Sequence, residues 1–273
     1  MPELIVSIVV YRSPLPVLDK TLARLRQAGE YAVGKGLIAA LRVTVVDNAS
    51  GREYSLRLED LLCCHQARGL ELRLIRRPNN GGYGRGHNEV ATGPEDFRLV
   101  LNPDVFLAPT SLVAGLKFLH DHPEVGVIAP WGEDEQGRPL FLSKRYPSVW
   151  VLGLRGLAPA WLKRRFASFL AEYEMRDLDW SRPQFGLPIV SGCCLLLRGR
   201  VWQEIGGFDP GYFLYFEDFD FSLRAQELAQ IAYVPGFRII HLGGGAARKG
   251  LRHRIWFFCS AFRFFRRHGW RWI

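Results

Sequence analysis

The chain has 273 residues, of which 48% are hydrophobic and 13% aromatic, enough for one large packed domain or two small ones. Its formal net charge of +9 is unevenly distributed along the chain. Positions 248–273 hold eight basic and no acidic residues, whereas the first 247 residues hold 28 basic and 27 acidic side chains. This distribution argues against a nucleic-acid groove across the fold and indicates an anionic surface as the partner of the last segment.

The first hundred residues alternate between apolar, β-branched runs and segments with helical spacing. Such runs are typical of strands covered on both faces, as in a parallel sheet. The predicted strands are Leu4–Val10, Leu41–Val46, Leu70–Ile75 and Phe97–Leu101, and the predicted helices are 16–28, 56–62 and one that starts near Arg85. Right-handed crossovers place the polar segments after these strands along one edge of the sheet, where ligands of open α/β folds bind.

The second half is less regular. We predict helices over 112–120 and 201–205, strands over 125–129 and 189–197, and pocket-shaping loops from about 140 to 187. The chain therefore reads as a single α/β domain with a C-terminal appendage.

Two polar segments follow the second and third strands. The Asp47-Asn48 pair can hydrogen-bond a nucleobase or a ribose, or it can form a plain turn in which Ser50 caps the next helix. The segment NNGGYGRGHN, positions 79–88, contains four glycines, which let the backbone approach a ligand ahead of a phosphate-attracting helix N-terminus. It matches neither a Walker A loop nor the dinucleotide fingerprint, so by itself it is a weak signal.

Two further residues are candidate metal ligands. Asp104 ends the Asn102-Pro103-Asp104 turn after the fourth strand and can bind a hard divalent cation, although such an Asp is often only part of a turn. His241 precedes three glycines and can join a metal or diphosphate site, or make a structural hydrogen bond.

The segment FLYFEDFDF, positions 213–221, places three carboxylates within four positions among aromatic residues. Crowding like charges into low dielectric raises their pKa values and is unfavourable unless a cation or catalysis accounts for it. Two interpretations stay open at this point, a solvated acidic turn beside a half-buried helix start and an active site.

In this order, the segments VVDNAS, NNGGYGRGHN, LNPDV, SGCCLLLR, GGFDPGYFLYFEDFDFSLR and IIHLGG resemble the family 2 inverting glycosyltransferases, in particular their rhamnosyltransferase-like branch. The resemblance spans residues 4 to about 250. It implies the GT-A fold, with a Rossmann-like half at 1–105 that binds a nucleotide-sugar, an acceptor-binding half at 106–250 and a mixed central sheet. A basic aromatic helix at 251–273 would follow.

The resemblance also assigns roles. The expected donor contacts are Val10, Tyr11, Asp47, Asn48, Gly81, Gly82, Arg85, Asn88, Asn102 and Asp104. Asp104 and His241 would hold Mg²⁺ or Mn²⁺ against the donor diphosphate. Two positions depart from the family pattern, because Asn102 replaces an acid of the DXD motif and Ala246-Ala247 stand where a Ser or Thr is frequent.

Asp218 is the expected general base, with Glu217 beside it, and would deprotonate the acceptor hydroxyl that attacks the anomeric carbon opposite the leaving group. The expected acceptor contacts are Ser191, Gly192, Tyr215 and Phe216. The donor would be a dTDP- or UDP-sugar such as dTDP-L-rhamnose, and the acceptor a bacterial cell-surface glycan or lipid-linked saccharide. The alternatives are an inactive nucleotide-sugar-binding scaffold and a nucleotidyltransferase, although residues 11–14 lack the basic glycine-rich loop of the latter.

The segment 252–273 mixes eight Phe and Trp residues with arginines, which is typical of a helix lying on an anionic membrane. Packing on the domain and a homodimer contact are the alternatives. The odd number of cysteines, five, without zinc spacing indicates reduced thiols, and we see neither a signal peptide nor a spanning helix. We therefore expect a cytoplasmic protein, peripheral at the inner face of the plasma membrane.

Overall fold

The computed structural model describes residues 1–243 and 250–273, so Ala246 and Ala247 lie outside the described residues. The strands are β1 Leu4–Val10, β2 Leu41–Asp47, β3 Glu71–Arg76, β4 Phe97–Leu101, β5 Val105–Leu107, β6 Val125–Glu133, β7 Ser143–Lys144, β8 Gln184–Phe185, β9 Ile189–Val190, β10 Cys194–Arg198 and β11 Gln230–His241. The helices are α1 Leu15–Gly34, α2 Arg52–Gln66, α3 Tyr83–Asn88, α4 Ser111–Asp121, α5 Val149–Gly156, α6 Ala160–Arg165, α7 Ala167–Tyr173, α8 Gly199–Ile205, α9 Glu217–Gln226 and α10 Leu251–His268.

A mixed sheet with the strand order β3-β2-β1-β4-β10-β6-β11-β5 forms the centre, and β8 pairs with β11. The strands β3, β2, β1 and β4 are mutually parallel, whereas β10 runs antiparallel to β4 and to β6. The predicted α/β architecture with a Rossmann-like first half is therefore present. The strand order reverses at β1, with β2 and β3 on one side and β4 on the other, and ligands of such sheets bind beyond the carboxyl ends of the strands at a switch of this kind.

Helices cover both faces of the sheet. On one face, Leu18, Leu22 and Leu25 of α1 are fully buried, as their helical spacing predicts. On the other face, Trp202 and Phe221 from α8 and α9 pack into a second buried cluster. The central strands β1 and β4 are thus covered on both sides, which explains why their sequences are almost continuously apolar, whereas the edge strand β3 alternates between apolar and charged residues.

Two differences from the sequence prediction concern the region before α8. The stretch 140–187 is not only loops, because α5, α6 and α7 lie there and the Ser148 side chain caps α5 by accepting a hydrogen bond from the Val151 N–H. The strand predicted over 189–197 is divided into β9 and β10. Ser191, Gly192 and Cys193 leave the ladder between them, and the Gly192 N–H binds a side chain of α9 instead.

Helix α10 packs on the domain with one face. Phe264 and Phe265 are 0% and 3% exposed, and the Ser260 hydroxyl donates to the Leu214 carbonyl. The opposite face is apolar and exposed, with a stripe that comprises Leu251, Ile255, Phe258 and Phe262. None of the helices in the described ranges is both long and apolar enough to cross a bilayer.

Candidate active site

Asn48 joins the loops that follow β2 and β3. Its side-chain amide donates to Asn80 Oδ1 and to the Gly82 carbonyl, at 3.0 and 2.9 Å. Its oxygen accepts from Arg77, and Asp47 Oδ1 accepts from the Ser50 N–H. Asn48 therefore positions the glycine-rich segment by contacts within the protein, while its predicted donor contact stays a prediction.

Gly82 must be a glycine for two reasons. Its φ is 93°, which side chains rarely tolerate, and a Cβ there would lie 2.1 Å from the Phe213 carbonyl oxygen. The Tyr83 N–H donates to that same carbonyl at 2.9 Å. The glycine-rich segment is thereby fastened directly to the segment that leads into the acidic motif.

Tyr83 connects the two halves of the site. Its hydroxyl lies 2.9 Å from Asn102 Oδ1 and 2.7 Å from the Gly192 carbonyl oxygen. The Gly192 N–H in turn donates to Asp218 Oδ2 at 2.9 Å. Burial raises the pKa of Tyr83, and the nearby carboxylates of Glu217, Asp218 and Asp104 add to this shift. One phenol thus links the predicted donor turn to the predicted base.

Asp104 and His241 come together, as predicted for metal ligands. His241 Nε2 lies 3.4 Å from Asp104 Oδ1, and the Thr21 hydroxyl fixes the turn by donating to the Pro103 carbonyl. Burial lowers the pKa of His241, but the neighbouring Cys193 and Asp104 outweigh it and raise the pKa to about 10.

These two side chains fit part of the coordination that a divalent cation would need, with waters or phosphate oxygens as its other ligands. A Cβ on Gly243 would lie 2.4 Å from Asp104 Oδ2 and 2.9 Å from His241 Nε2, so the glycine leaves open the space that both groups face. Among residues 1–243 and 250–273, no group of three or more His, Cys, Asp or Glu side chains forms a metal cage. Mg²⁺ sites commonly use one or two protein ligands, waters and phosphate oxygens, which suits a pair.

The acidic motif begins α9 after a strained turn. Tyr215 and Phe216 both have left-handed backbones, with φ of 70° and 63°, immediately before Glu217. Two consecutive side-chain-bearing residues in this region are unfavourable, and such strain concentrates at functional sites. Asp218 accepts from the backbone N–H groups of Gly192 and Phe219, so its carboxylate is held in one orientation.

The two neighbouring acids lie in different surroundings. Glu217 is 6% exposed and its Oε2 has no hydrogen-bond partner in the described part of the chain. Burial, with the charge of Asp218, raises the pKa of Glu217 well above its usual value. Burial also raises the pKa of Asp218, while its two N–H partners oppose the shift. Asp218 therefore combines a basic carboxylate with partial access to solvent.

Asp220, the third acid, is an ion-pair centre. It is fully buried and meets Arg224 of its own helix at 2.8 Å, and Arg267 and His268 of α10 at 3.1 and 2.8 Å. The end of α10 is thereby tied to the helix that carries Asp218.

The remaining predicted contacts are spread around this centre. Tyr11 is 48% exposed, whereas Val10 is buried and its carbonyl accepts from the Asn48 N–H. Arg85 donates to the Pro210 carbonyl, and Asn88 exchanges two hydrogen bonds with the Phe208 backbone.

On the acceptor side, Ser191 and Gly192 adjoin Asp218, but Phe216 is only 3% exposed and packs against Phe257 and Phe264. In this arrangement Phe216 positions the turn and does not line an open surface.

Sequence reasoning missed Tyr83. An aromatic side chain in a glycine-rich segment reads as the apolar start of a helix, and its partner Gly192 is 109 residues away. An aromatic residue flanked by glycines on both sides, ahead of a polar turn, is the signal that points to such a bridge.

No protein-family model matches the chain. The N-acetylglucosaminyl-diphospho-decaprenol L-rhamnosyltransferase of Mycobacterium tuberculosis is 28% identical over 255 residues, which cover 88% of this chain and 76% of that protein. The rhamnosyltransferase WbbL of Escherichia coli is 23% identical over 239 residues, with 79% and 80% covered. The chain is a homologue of bacterial rhamnosyltransferases. The relatives thus indicate a glycosyltransferase of the rhamnosyltransferase type, and the predicted resemblance is confirmed.

A solved structure agrees on the fold. The mannosyltransferase PcManGT from Pyrobaculum calidifontis, in complex with GDP-Man and Mn²⁺, superposes with a TM-score of 0.59 over 96% of this rhamnosyltransferase homologue. The identity is 18%, and the match spans 64% of that longer chain. The fold is therefore GT-A, as the sequence predicts.

Proposed function

We propose that this rhamnosyltransferase homologue is an inverting, metal-assisted glycosyltransferase. It transfers a sugar, such as L-rhamnose from dTDP-L-rhamnose, to a hydroxyl of a cell-surface glycan or a lipid-linked acceptor. The observation that carries this proposal is the Tyr83 hydroxyl, which joins the Asn102-Pro103-Asp104 turn to Gly192, the residue that holds Asp218.

Asp218 acts as the general base. Its raised pKa makes it a better proton acceptor than a surface aspartate, and two backbone N–H groups orient it. It takes the proton of the acceptor hydroxyl as that oxygen bonds to the anomeric carbon and the bond to the nucleoside diphosphate breaks. One base is enough for inversion. Buried Glu217 beside it favours its protonated form, because burial and the charge of Asp218 raise the pKa of Glu217.

Asp104 and His241 would hold the divalent cation, which when bound offsets the charge that develops on the departing diphosphate. The pairing of these ligands, 3.4 Å apart beside Gly243, supports this role. The nucleotide would lie along the loops after β1, β2 and β3, which are joined by the hydrogen bonds of Asn48 to Val10 and to Gly82.

The exposed face of α10 supports peripheral attachment to an anionic membrane on the cytoplasmic side. Its stripe of Leu251, Ile255, Phe258 and Phe262 is flanked by exposed arginines, a composition that suits the boundary between headgroups and acyl chains. The relative from M. tuberculosis is named for an acceptor on a decaprenol lipid, which agrees with such a location. A homodimer contact through the same face is the competing prediction.

A donor screen tests the proposal. Purified protein is incubated with dTDP-, UDP- and GDP-sugars, with and without Mg²⁺ or Mn²⁺, and release of the nucleoside diphosphate is measured. We expect release from one donor class, stimulated by the metal and by an acceptor. An inactive nucleotide-sugar-binding scaffold, which the missing acid at Asn102 would favour, instead shows donor binding without release.

A further inference from the structure

A cluster of basic side chains lies in the second half of the domain and has no role in the mechanism above. Lys144, Arg155 and Arg176 all converge on one carboxylate, Glu174, at N–O distances of 3.7, 3.5 and 2.5 Å. The two arginines alone outnumber this acid, and a charged Lys144 would raise the excess to two positive charges. The neighbouring Arg145 is already matched, since it forms a bidentate pair with Asp177.

The cluster is partly shielded from water. Lys144 and Glu174 are 13% and 14% exposed, whereas Arg155 and Arg176 reach the surface. Burial lowers the pKa of Lys144 to about 7, and repulsion from Arg155 adds to this shift. An additional anion in this place would relieve the repulsion and restore the charge of the lysine.

A buried hydroxyl also faces the cluster. Tyr173 is 5% exposed, and the Arg155 guanidinium lies 5.3 Å from its ring centroid, close enough to donate to the phenol oxygen. The hydroxyl's own proton has no acceptor in the described residues. Burial raises the pKa of Tyr173 to about 12, although Arg155 opposes this shift, so the hydroxyl stays protonated. Leaving such a donor unpaired is unfavourable, and an anion oxygen would satisfy it.

The cluster adjoins the acceptor side of the site. Lys144 pairs with Ile189 across β7 and β9, and two residues further on Ser191 donates its N–H to the Leu142 carbonyl. The next N–H, of Gly192, holds Asp218.

Apolar surface surrounds the outer part of the cluster. Arg155 lies on α5, and the large side chains exposed around this helix are Trp150, Leu157 and Trp161, at 43%, 66% and 68%. The start of α5 also meets the basic aromatic tail, because the Trp150 N–H donates to the Trp272 carbonyl. Half-buried cationic groups beside exposed apolar side chains suit a lipid that carries a phosphate.

We propose that Lys144, Arg155, Arg176 and the Tyr173 hydroxyl bind the diphosphate of a lipid-linked acceptor and so place its sugar at Asp218. Arginine forks match phosphate oxygens in geometry as well as charge. The inference rests on the proposed function and names the class of its acceptor. The relative from M. tuberculosis, whose name includes a diphospho-decaprenol acceptor, supports that class.

Direct binding tests the site without requiring turnover. Farnesyl diphosphate and farnesol are titrated by calorimetry in saturating dTDP and Mg²⁺, which fill the donor's own diphosphate site. We expect the double variant Arg155→Gln/Arg176→Gln to bind farnesyl diphosphate about tenfold more weakly or worse. Tyr173→Phe should weaken it less, and Arg164→Gln, an exposed arginine of α6, should leave it unchanged. Farnesol binding should not respond to the charge changes.

Equal affinity of the double variant and the unaltered protein for farnesyl diphosphate would overturn the proposal. Vesicles of phosphatidylglycerol distinguish a lipid-linked diphosphate from the headgroups of a bilayer. We expect the double variant to bind these vesicles as well as the unaltered protein does. Loss of vesicle binding in the same proportion would assign the cluster to bilayer headgroups and also refute the inference. Absence of turnover with every donor would refute the proposed function alone, since the binding result does not depend on it.

Discussion

Asp218 and Glu217 are neighbours in the chain, yet their surroundings differ. Asp218 receives two backbone N–H groups, whereas Glu217 Oε2 is buried without a partner among the described residues. A proton is therefore more readily kept by Glu217 and more readily exchanged at Asp218. We therefore propose that Asp218 carries out the proton transfer and that Glu217 has a structural role.

Replacing Asp218 by Asn should lower the rate of sugar transfer by about 10²–10⁴-fold, because Asn keeps the size of the side chain but cannot take a proton. Donor affinity should survive, since the residue lies on the acceptor side. Transfer is measured by product formation and affinity by calorimetry. Asp60→Asn, at an exposed position of α2, is the matched control. Near-normal turnover of Asp218→Asn would rule out the assignment of the base.

Glu217→Gln should stabilise the protein at neutral and alkaline pH. The pKa of Glu217 is raised in the folded protein. Its contribution to the free energy of unfolding is therefore complete below the pKa of the unfolded chain, and it is lost as the pH rises through the pKa of the folded state. Removing the ionisable group should add about 1–3 kcal/mol to the free energy of unfolding at pH 8 and little at pH 4. Urea unfolding at both pH values measures this change in the free energy of unfolding.

Glu227→Gln, exposed just beyond the end of α9, provides the control for surface charge. A gain that is equal at the two pH values would contradict the assigned pKa direction.

The elements differ in how far their sequences predict them. Strands β1, β2 and β4 were predictable because their apolar runs have few alternatives in a covered sheet, and β3 was predictable from its alternation of apolar and charged residues. Strand β11 was missed, since Pro235 and Gly236 interrupt its apolar run; the structure accommodates them in a register shift between Val234 and Arg238. Helices α5 to α7 are short and dense in aromatic residues, so their periodicity is too brief to distinguish from loops.

The sequence also predicts the candidate site only in part. Asp104, His241 and Asp218 were predicted because each belongs to a motif with a fixed place in chain order. The bridge through Tyr83 and the basic cluster on Glu174 were not predicted, because both depend on residues distant in sequence that only the tertiary fold brings together.

Helix α10 is expected to support both stability and catalysis. Phe264 is fully buried against Phe216, so Phe264→Ala should lower the free energy of unfolding by about 3–5 kcal/mol and reduce turnover by loosening the turn before Glu217. Phe262→Ala on the exposed face of the same helix should change stability by no more than about 0.5 kcal/mol. Chemical denaturation measures both variants. Equal effects would show that α10 does not pack as described.

At the scale of the whole molecule, the proposed membrane contact is formed by the exposed stripe of α10 and the arginines around it. We expect the protein to float with phosphatidylglycerol liposomes and to detach as salt rises, because exposed charges are screened within about 10 Å at 0.1 M ionic strength. Phe258→Glu/Phe262→Glu should abolish flotation while leaving the fold intact. Deleting 252–273 is a poorer test, since it also removes buried Phe264.

A variant exposed elsewhere, Leu56→Glu on α2, is the matched control for adding a charge to an apolar surface position. Unchanged flotation of the α10 variant would remove the membrane from the proposed function and leave a protein–protein contact as the use of that face.

The pairing of Asp220 with Arg267 and His268 has a consequence for biosynthesis. Chains are made from the N-terminus, and domains begin to fold while the ribosome is still adding residues. Helix α9 can form early, but Asp220 lacks two of its three partners until the end of α10 has left the exit tunnel. The helix that carries Asp218 is therefore fixed only once Arg267 and His268 have emerged, well after its own residues have been synthesised.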